Sequence, residues 1–217
     1  MKFHLAAFAD EAGAELSTQI TAMRKNGVGM LEMRGVDGKN CADLTLNEAK
    51  DVQKRLADEG LKVWSLGSPF GKIGIEEAFD AHLEKLRRSL EICRETGIER
   101  VRMFSFYMPE GKEPELFRQA VIDRMGAMID AAQETGVKLC HENEKGIYGD
   151  NAPRCLELLK TFEGKLGGIF DPANFLQVGQ KTLPALELLS PYIDYMHIKD
   201  ARLSDGHVCL LYTSRCV

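Results

Sequence analysis

The sequence predicts an α/β protein, a (βα)8 barrel that is incomplete because only about seven strands can be placed. Glycines recur at module-length intervals, each closing a helical pattern and opening an apolar run. The runs are continuously apolar, as strands covered on both faces require. Polar, metal-capable side chains end several of these runs, rather than a single switch point between two strands. A barrel gathers all its strand ends into one ring, whereas a doubly wound sheet does not. The absence of Gly-x-Gly-x-x-Gly after the first run agrees with the barrel.

Asn26-Gly27, Glu59-Gly60, Thr96-Gly97, Thr135-Gly136 and Glu163-Gly164 mark the modules, at intervals of 33, 37, 39 and 28 residues. That is the length of one strand plus one helix. Glycine just past a helix takes a left-handed conformation that other residues resist. Strands are expected at residues 3–8, 30–33, 61–66, 101–104, 137–140, 166–170 and 192–198. Residues 81–95 carry Leu83, Leu86, Leu90 and Cys93 at the spacing of a helix packed on a sheet. Residues 117–133 repeat the pattern with Phe117, Val121, Met125, Met128 and Ile129. A helix over 47–58 follows Asp43-Leu44-Thr45, and Asp150-Asn151-Ala152-Pro153 reads as a cap followed by an early proline. Trp64 and Phe104 read as core; Phe8, Phe70 and Phe175 line a pocket or join the core.

From Cys209 the chain reads Cys-Leu-Leu-Tyr-Thr-Ser-Arg-Cys-Val and continues neither period. Back-translated, its first six residues resemble a transposon adaptor used in sequencing libraries. Residues 209–217 are therefore expected to be a non-native tail on a single domain of residues 1–208, with a natural tail as the alternative. On the first reading the eighth strand is missing.

The formal charge of −5 argues against a nucleic-acid partner, which calls for a basic face. No apolar run approaches the ~20 residues that cross a bilayer, so no membrane is expected and a cytoplasmic location is the default. The six cysteines form no Cys-x-x-Cys pair and are expected to be reduced and mostly buried. Any metal must then be held by carboxylate and imidazole. Glu142, Asp171 and His197 end the fifth, sixth and seventh runs, and neighbouring strands about 4.8 Å apart let such side chains converge. Each has a structural alternative: a cap or lysine partner for Glu142, a turn before Pro172 for Asp171, a satisfied histidine for His197.

Five motifs carry a family resemblance: Glu32-Met33-Arg34-Gly35-Val36-Asp37-Gly38-Lys39-Asn40, Gly67-Ser68-Pro69-Phe70-Gly71-Lys72, His141-Glu142-Asn143-Glu144, Phe170-Asp171-Pro172-Ala173-Asn174-Phe175 and His197-Ile198-Lys199-Asp200. With them the chain resembles sugar phosphate isomerases/epimerases of the xylose-isomerase-like TIM-barrel superfamily. That group also holds inosose dehydratases, ketose 3-epimerases and endonuclease IV. The resemblance implies a divalent metal (Mn, Mg, Co or Zn) held by Glu142, Asp171, His197 and a second glutamate from the eighth strand, for which this chain has no counterpart. It implies that Glu142 is half of an acid/base pair.

It also implies a small carbohydrate substrate, moved between isomers by proton transfer next to a carbonyl through an enediolate. Asn174 matches a substrate-contacting position, with a helix-start role as its alternative. Glu32 and Arg34 reach sugar hydroxyls or pair with each other. Lys72 touches an anionic substrate or lies in a solvated loop. His141, Lys199 and Asp200 are expected to support the ligands from behind. A dehydratase of keto-inositols on the same metal site is the alternative enzyme, and a catalytically inactive barrel fragment the alternative of another class. With five histidines in an acidic chain, the multi-metal endonuclease reading stands third. An open sheet edge favours self-association into a homo-oligomer.

Overall fold

A computed structural model of the chain describes residues 3–204 and 207–211. Seven parallel strands form the main sheet: β1 (Ala6–Ala7), β2 (Met30–Met33), β3 (Lys62–Phe70), β4 (Arg100–Met103), β5 (Lys138–Glu142), β6 (Leu166–Phe170) and β7 (Ile193–Met196). Their order in the sheet is their order in the chain, and the described residues add no eighth strand to it. All seven expected strands are present, alternating with helices as an incomplete TIM barrel requires. Two antiparallel hairpins are additional, Gly35–Val36 with Lys39–Asn40 and Asp200–Ser204 with His207–Leu211. Cys209, Leu210 and Leu211 thus pair as strand residues, whereas the rest of the expected tail, 212–217, lies outside the described residues.

Several helices begin where an N-cap side chain accepts from an amide of the first turn. Helix α1 spans Leu16–Lys25, and α2 (Leu46–Ala57) opens on a capping box in which Thr45 and Glu48 exchange hydrogen bonds. Helix α3 (Asp80–Thr96) buries Leu86, Leu90 and Cys93 completely, the stripe its periodicity predicts. Helix α4 (Arg118–Gln133) is preceded by a 3-10 turn over Pro114–Phe117. Helix α5 (Ala152–Thr161) is capped by Asn151, whose side chain accepts from the Arg154 amide at 3.0 Å. Helices α6 (Pro172–Gln177) and α7 (Thr182–Leu189) complete the set.

Contacts divide the chain into two compact units. The first takes the chain up to Pro69 with Asp80–Arg102 and Asp130–Lys138; the second takes Phe70–Phe79, Met103–Ile129 and the chain from Leu139 onward. Leu31, Met33, Leu56 and Leu86 are core of the first, while Phe104, Phe106, Met125 and Phe175 are core of the second. Each such side chain contributes about 1.5–3 kcal/mol through burial.

Local differences from the sequence reading have physical causes. Strand β1 is two residues long, and Phe3 and Leu5 are exposed, because β1 is an edge with a partner on one side only. Trp64 is half-buried beneath Arg100 rather than core. Leu31 pairs with Val63 and Glu32 with Ser65, so Trp64 is the residue skipped at a bulge. Residues 67–70, read as a turn, continue β3: Phe70 is buried, and the Gly67 and Ser68 carbonyls accept from the Arg102 guanidinium at 2.8 and 3.3 Å. The turn comes at Gly71, where a Cβ would stand 1.9 Å from the Phe104 carbonyl oxygen.

A second skip lies between β6 and β7. Gly168 pairs with Ile193, but Ile169 pairs with Tyr195, leaving Asp194 unmatched. Any Cβ at Gly168 would meet the Tyr192 carbonyl oxygen at 2.8 Å, a backbone atom that cannot rotate away. Gly168→Ala is expected to cost about 1–3 kcal/mol in urea unfolding. By contrast, Gly29→Ala adds a methyl that meets nothing within 4 Å and should stay within about 0.5 kcal/mol of wild type.

Candidate metal and active site

The site lies in the second unit, at the carboxyl ends of β5, β6 and β7. Register decides which side chains meet there. Glu142 is level with Ile169, and Ile169 with Tyr195. Side chains two residues apart on a strand share a face, so Asp171 and His197 both return to the face Glu142 occupies. His141 and Asn143 point to the other.

Glu142, Asp171 and His197 each bring one ligand atom to within 4.8 Å of the others, the first two buried and the third partly so. His197 Nδ1 lies 2.8 Å from Glu142 Oε1. Asp171 has two tasks: Oδ1 accepts from the Asn174 amide at 3.0 Å and starts α6, while Oδ2 faces the Lys199 ammonium at 3.6 Å. Burial raises the Asp171 pKa, opposed by Lys199 and the Asn174 amide and reinforced by Glu142. Two neighbouring carboxylates in a dry site are electrostatically costly unless cations offset them. Ligand atoms around a tetrahedral ion with bonds of about 2.1 Å stand about 3.4 Å apart, so small side-chain rotations fit the three to one divalent cation.

The xylose isomerase-like TIM barrel profile matches residues 20–211. The chain belongs to that family. No curated protein matches it. Solved structures similar in fold include a probable 3-DHS dehydratase from Bacillus anthracis, with TM-score 0.76, 18% identity, and coverage of 95% of this chain and 75% of that one. An L-ribulose 3-epimerase aligns with TM-score 0.69 and 20% identity over 94% of this chain and 73% of its own. A third is the IOLI protein with a binding zinc atom, with TM-score 0.73 and 16% identity over 95% and 76%.

In this member of the family Asn174 sits inside the cluster. Its Nδ2 donates to the Asn143 carbonyl at 2.9 Å and approaches Glu142 Oε1 at 3.5 Å, while its Oδ1 accepts from Lys199 Nζ and Gln177 Nε2, both at 3.0 Å. The amide is thus occupied on both ends, and its backbone also serves the helix start that the sequence offered as its alternative. Lys199 lies behind the cluster, its ammonium directed at Asn174 and Asp171. The Asp200 side chain lies outside the described residues.

Lys72 is partly exposed and paired. Its ammonium pairs with Glu144 at 2.6 Å and lies 4.3 Å from the Phe104 ring centroid. Glu32 and Arg34 belong to the first unit. Glu32 is buried, and Arg34 pairs not with it but with Asp10 and Glu11, at 2.7 and 2.6 Å. Phe70 and Phe175 are core. The described cysteines 41, 93, 140 and 155 are buried, as expected, with no disulfide among them. No described helix is long and apolar enough to cross a membrane.

Sequence reasoning passed over Asn143, Ser105, Gln177 and Glu144 as partners. Asn143 and Glu144 stood inside a quoted motif; Ser105 carried no signal beyond following a strand. His141 Nε2 meets the Ser105 hydroxyl at 2.9 Å, and that hydroxyl accepts from the Gly149 amide at 2.8 Å. This geometry suits a neutral imidazole that accepts the hydroxyl proton. Burial pushes the His141 pKa down to about 4, against a smaller upward pull from Glu142. The unfolded chain therefore takes up a proton near pH 6.5 that the folded chain refuses until about pH 4. Stability should fall as pH is lowered through that window, and His141→Asn should flatten the slope of urea midpoint against pH.

Proposed function

We propose that the chain is a divalent-metal-dependent sugar isomerase or epimerase that moves a proton next to a carbonyl through an enediolate. The observation that carries this reading is the convergence of Glu142, Asp171 and His197 on one face of three consecutive strand ends. The L-ribulose 3-epimerase among the structural neighbours and the zinc atom bound by the IOLI protein support it. Glu142, Asp171 and His197 would hold the ion. A bound divalent cation supplies Lewis acidity to a carbonyl oxygen and its neighbouring hydroxyl.

The chain's own residues supply the rest. Glu142 offers a buried carboxylate to take the proton from carbon. Asp171, capping α6, keeps its second oxygen turned toward the cluster. Lys199 keeps a positive charge beside Asp171, favouring negative charge at this end of the sheet. A dehydratase is the second reading, favoured by the probable 3-DHS dehydratase among the structural neighbours. It shares the first proton transfer and differs in expelling hydroxide.

Two measurements test the proposal. After chelator treatment, added Mn2+ or Zn2+ should raise the melting temperature of wild type. Asp171→Asn should retain the metal-free stability, because asparagine also caps helices, but lose the metal-induced rise. Asp171→Ala should lose both, with about 1 kcal/mol of stability gone. A wild type that takes up no ion would sink the metal reading.

In deuterated water, wild type with Mn2+ should place deuterium into a ketose next to its carbonyl, and Glu142→Gln should slow this by about 100-fold or more. Release of water from inosose without such exchange would favour the dehydratase. A metal-loaded chain that does neither is the inactive fragment.

A further inference from the structure

Asn143 stands between the two acidic ligands in space but outside their roles. It is buried, and its side chain makes two hydrogen bonds to one residue of the neighbouring strand. Its Oδ1 accepts from the Asp171 amide at 2.9 Å, and its Nδ2 donates to the Asp171 carbonyl at 3.0 Å. One donor and one acceptor offered to a single residue is what a β-partner's backbone supplies. Main-chain pairing of β5 with β6 ends at Glu142 with Ile169, two residues short of Asp171. The Asn143 amide therefore carries the ladder on to the ligand itself.

A second bond runs back. The Asn143 carbonyl accepts from Asn174 Nδ2 at 2.9 Å, tying the start of α6 to the end of β5. Like charges in one dry site repel, and the ends of β5 and β6 carry Glu142 and Asp171. Backbone pairing has stopped there, so a side chain must resist that repulsion. An amide carries its donor and its acceptor on separate atoms, spaced to meet an N–H and a C=O at once; aspartate lacks the donor and leucine lacks both.

We infer that Asn143 is a positioning residue that splices the ends of β5 and β6, holding the Glu142 and Asp171 carboxylates at ligand spacing before a cation arrives. The inference rests on the metal reading above. It concerns the chain's readiness for the ion rather than the identity of the ion or the reaction.

The test titrates the metal-stripped full chain with Mn2+ by calorimetry, and records melting curves with and without the ion. Variants are Asn143→Ala, Asn143→Leu and Asn143→Ser, the last keeping one of the two hydrogen bonds. Asn151→Ala, which removes the α5 cap, serves as a structural control. Asn143→Ala and Asn143→Leu should weaken Mn2+ binding by about tenfold or more, with Asn143→Ser between them and wild type. The control should lose melting temperature yet bind within about twofold of wild type, as an effect on folding alone predicts. Amide exchange at Asp171 should quicken in the Asn143 variants without metal. Folded Asn143 variants that all bind Mn2+ within about twofold of wild type would overturn the inference and leave the metal reading standing. A wild type that binds no Mn2+ would overturn both.

Discussion

The site depends on a single skipped residue between β6 and β7. Up to Gly168 and Ile193 the strands run one to one; continued unchanged, that register would set Asp171 level with Met196. Skipping Asp194 sets it level with His197 instead. Because side chains alternate between faces, a slip of one residue exchanges every group on the strand. The bulge is therefore what turns an imidazole, rather than a methionine, toward the two carboxylates. Gly168, three residues before Asp171, leaves room for the Tyr192 carbonyl oxygen, which a Cβ there would meet at 2.8 Å.

Bringing the groups together creates a second constraint, because Glu142 and Asp171 are both almost fully buried. Within the described residues the offsetting groups at this cluster are His197, Lys199 and a net of amides from Asn143 and Asn174. Breaking one partner of a buried charge set is more damaging than never having built it. Such an arrangement is poor as a device for stability alone. It is reasonable where a divalent cation completes the charge balance, and the raised pKa of Asp171 has the same origin.

Much of this was legible in the chain. The glycine beat marked the helix ends, and the five cap glycines do adopt positive φ, from 67° at Gly27 to 78° at Gly164. Continuous apolar runs located all seven strands, and the polar residues following three of them include Glu142, Asp171 and His197, whose ligand-capable atoms the fold brings within 4.8 Å of one another. What escaped the sequence was everything governed by register. Trp64 reads as core by composition, yet the bulge leaves it half-buried. Lys72 and Arg34 read as available cations, yet each is taken by acids that folding supplies from elsewhere in its own unit, Glu144 for one and Asp10 with Glu11 for the other. Asn143 was printed inside the motif, but an amide's value lies in what stands opposite, and a one-dimensional pattern does not hold that. The Asp200–Ser204 and His207–Leu211 hairpin shows the same limit, since its pairing has no strong alternation to announce it.

The ligands follow one another at successive strand ends, residues 142, 171 and 197, all within the second unit. Three protein ligands with further positions open is the pattern of catalytic rather than structural divalent sites, in which four protein ligands close the ion off. Among the described residues no second glutamate joins this cluster, so an ion held by these three groups would keep one more position open than the family resemblance implies. An ion with fewer anchors is held less tightly and relies more on the spacing its remaining ligands already have. In such a site the rigidity of the carboxylate pair, rather than the number of donors, sets how readily the cation is taken up.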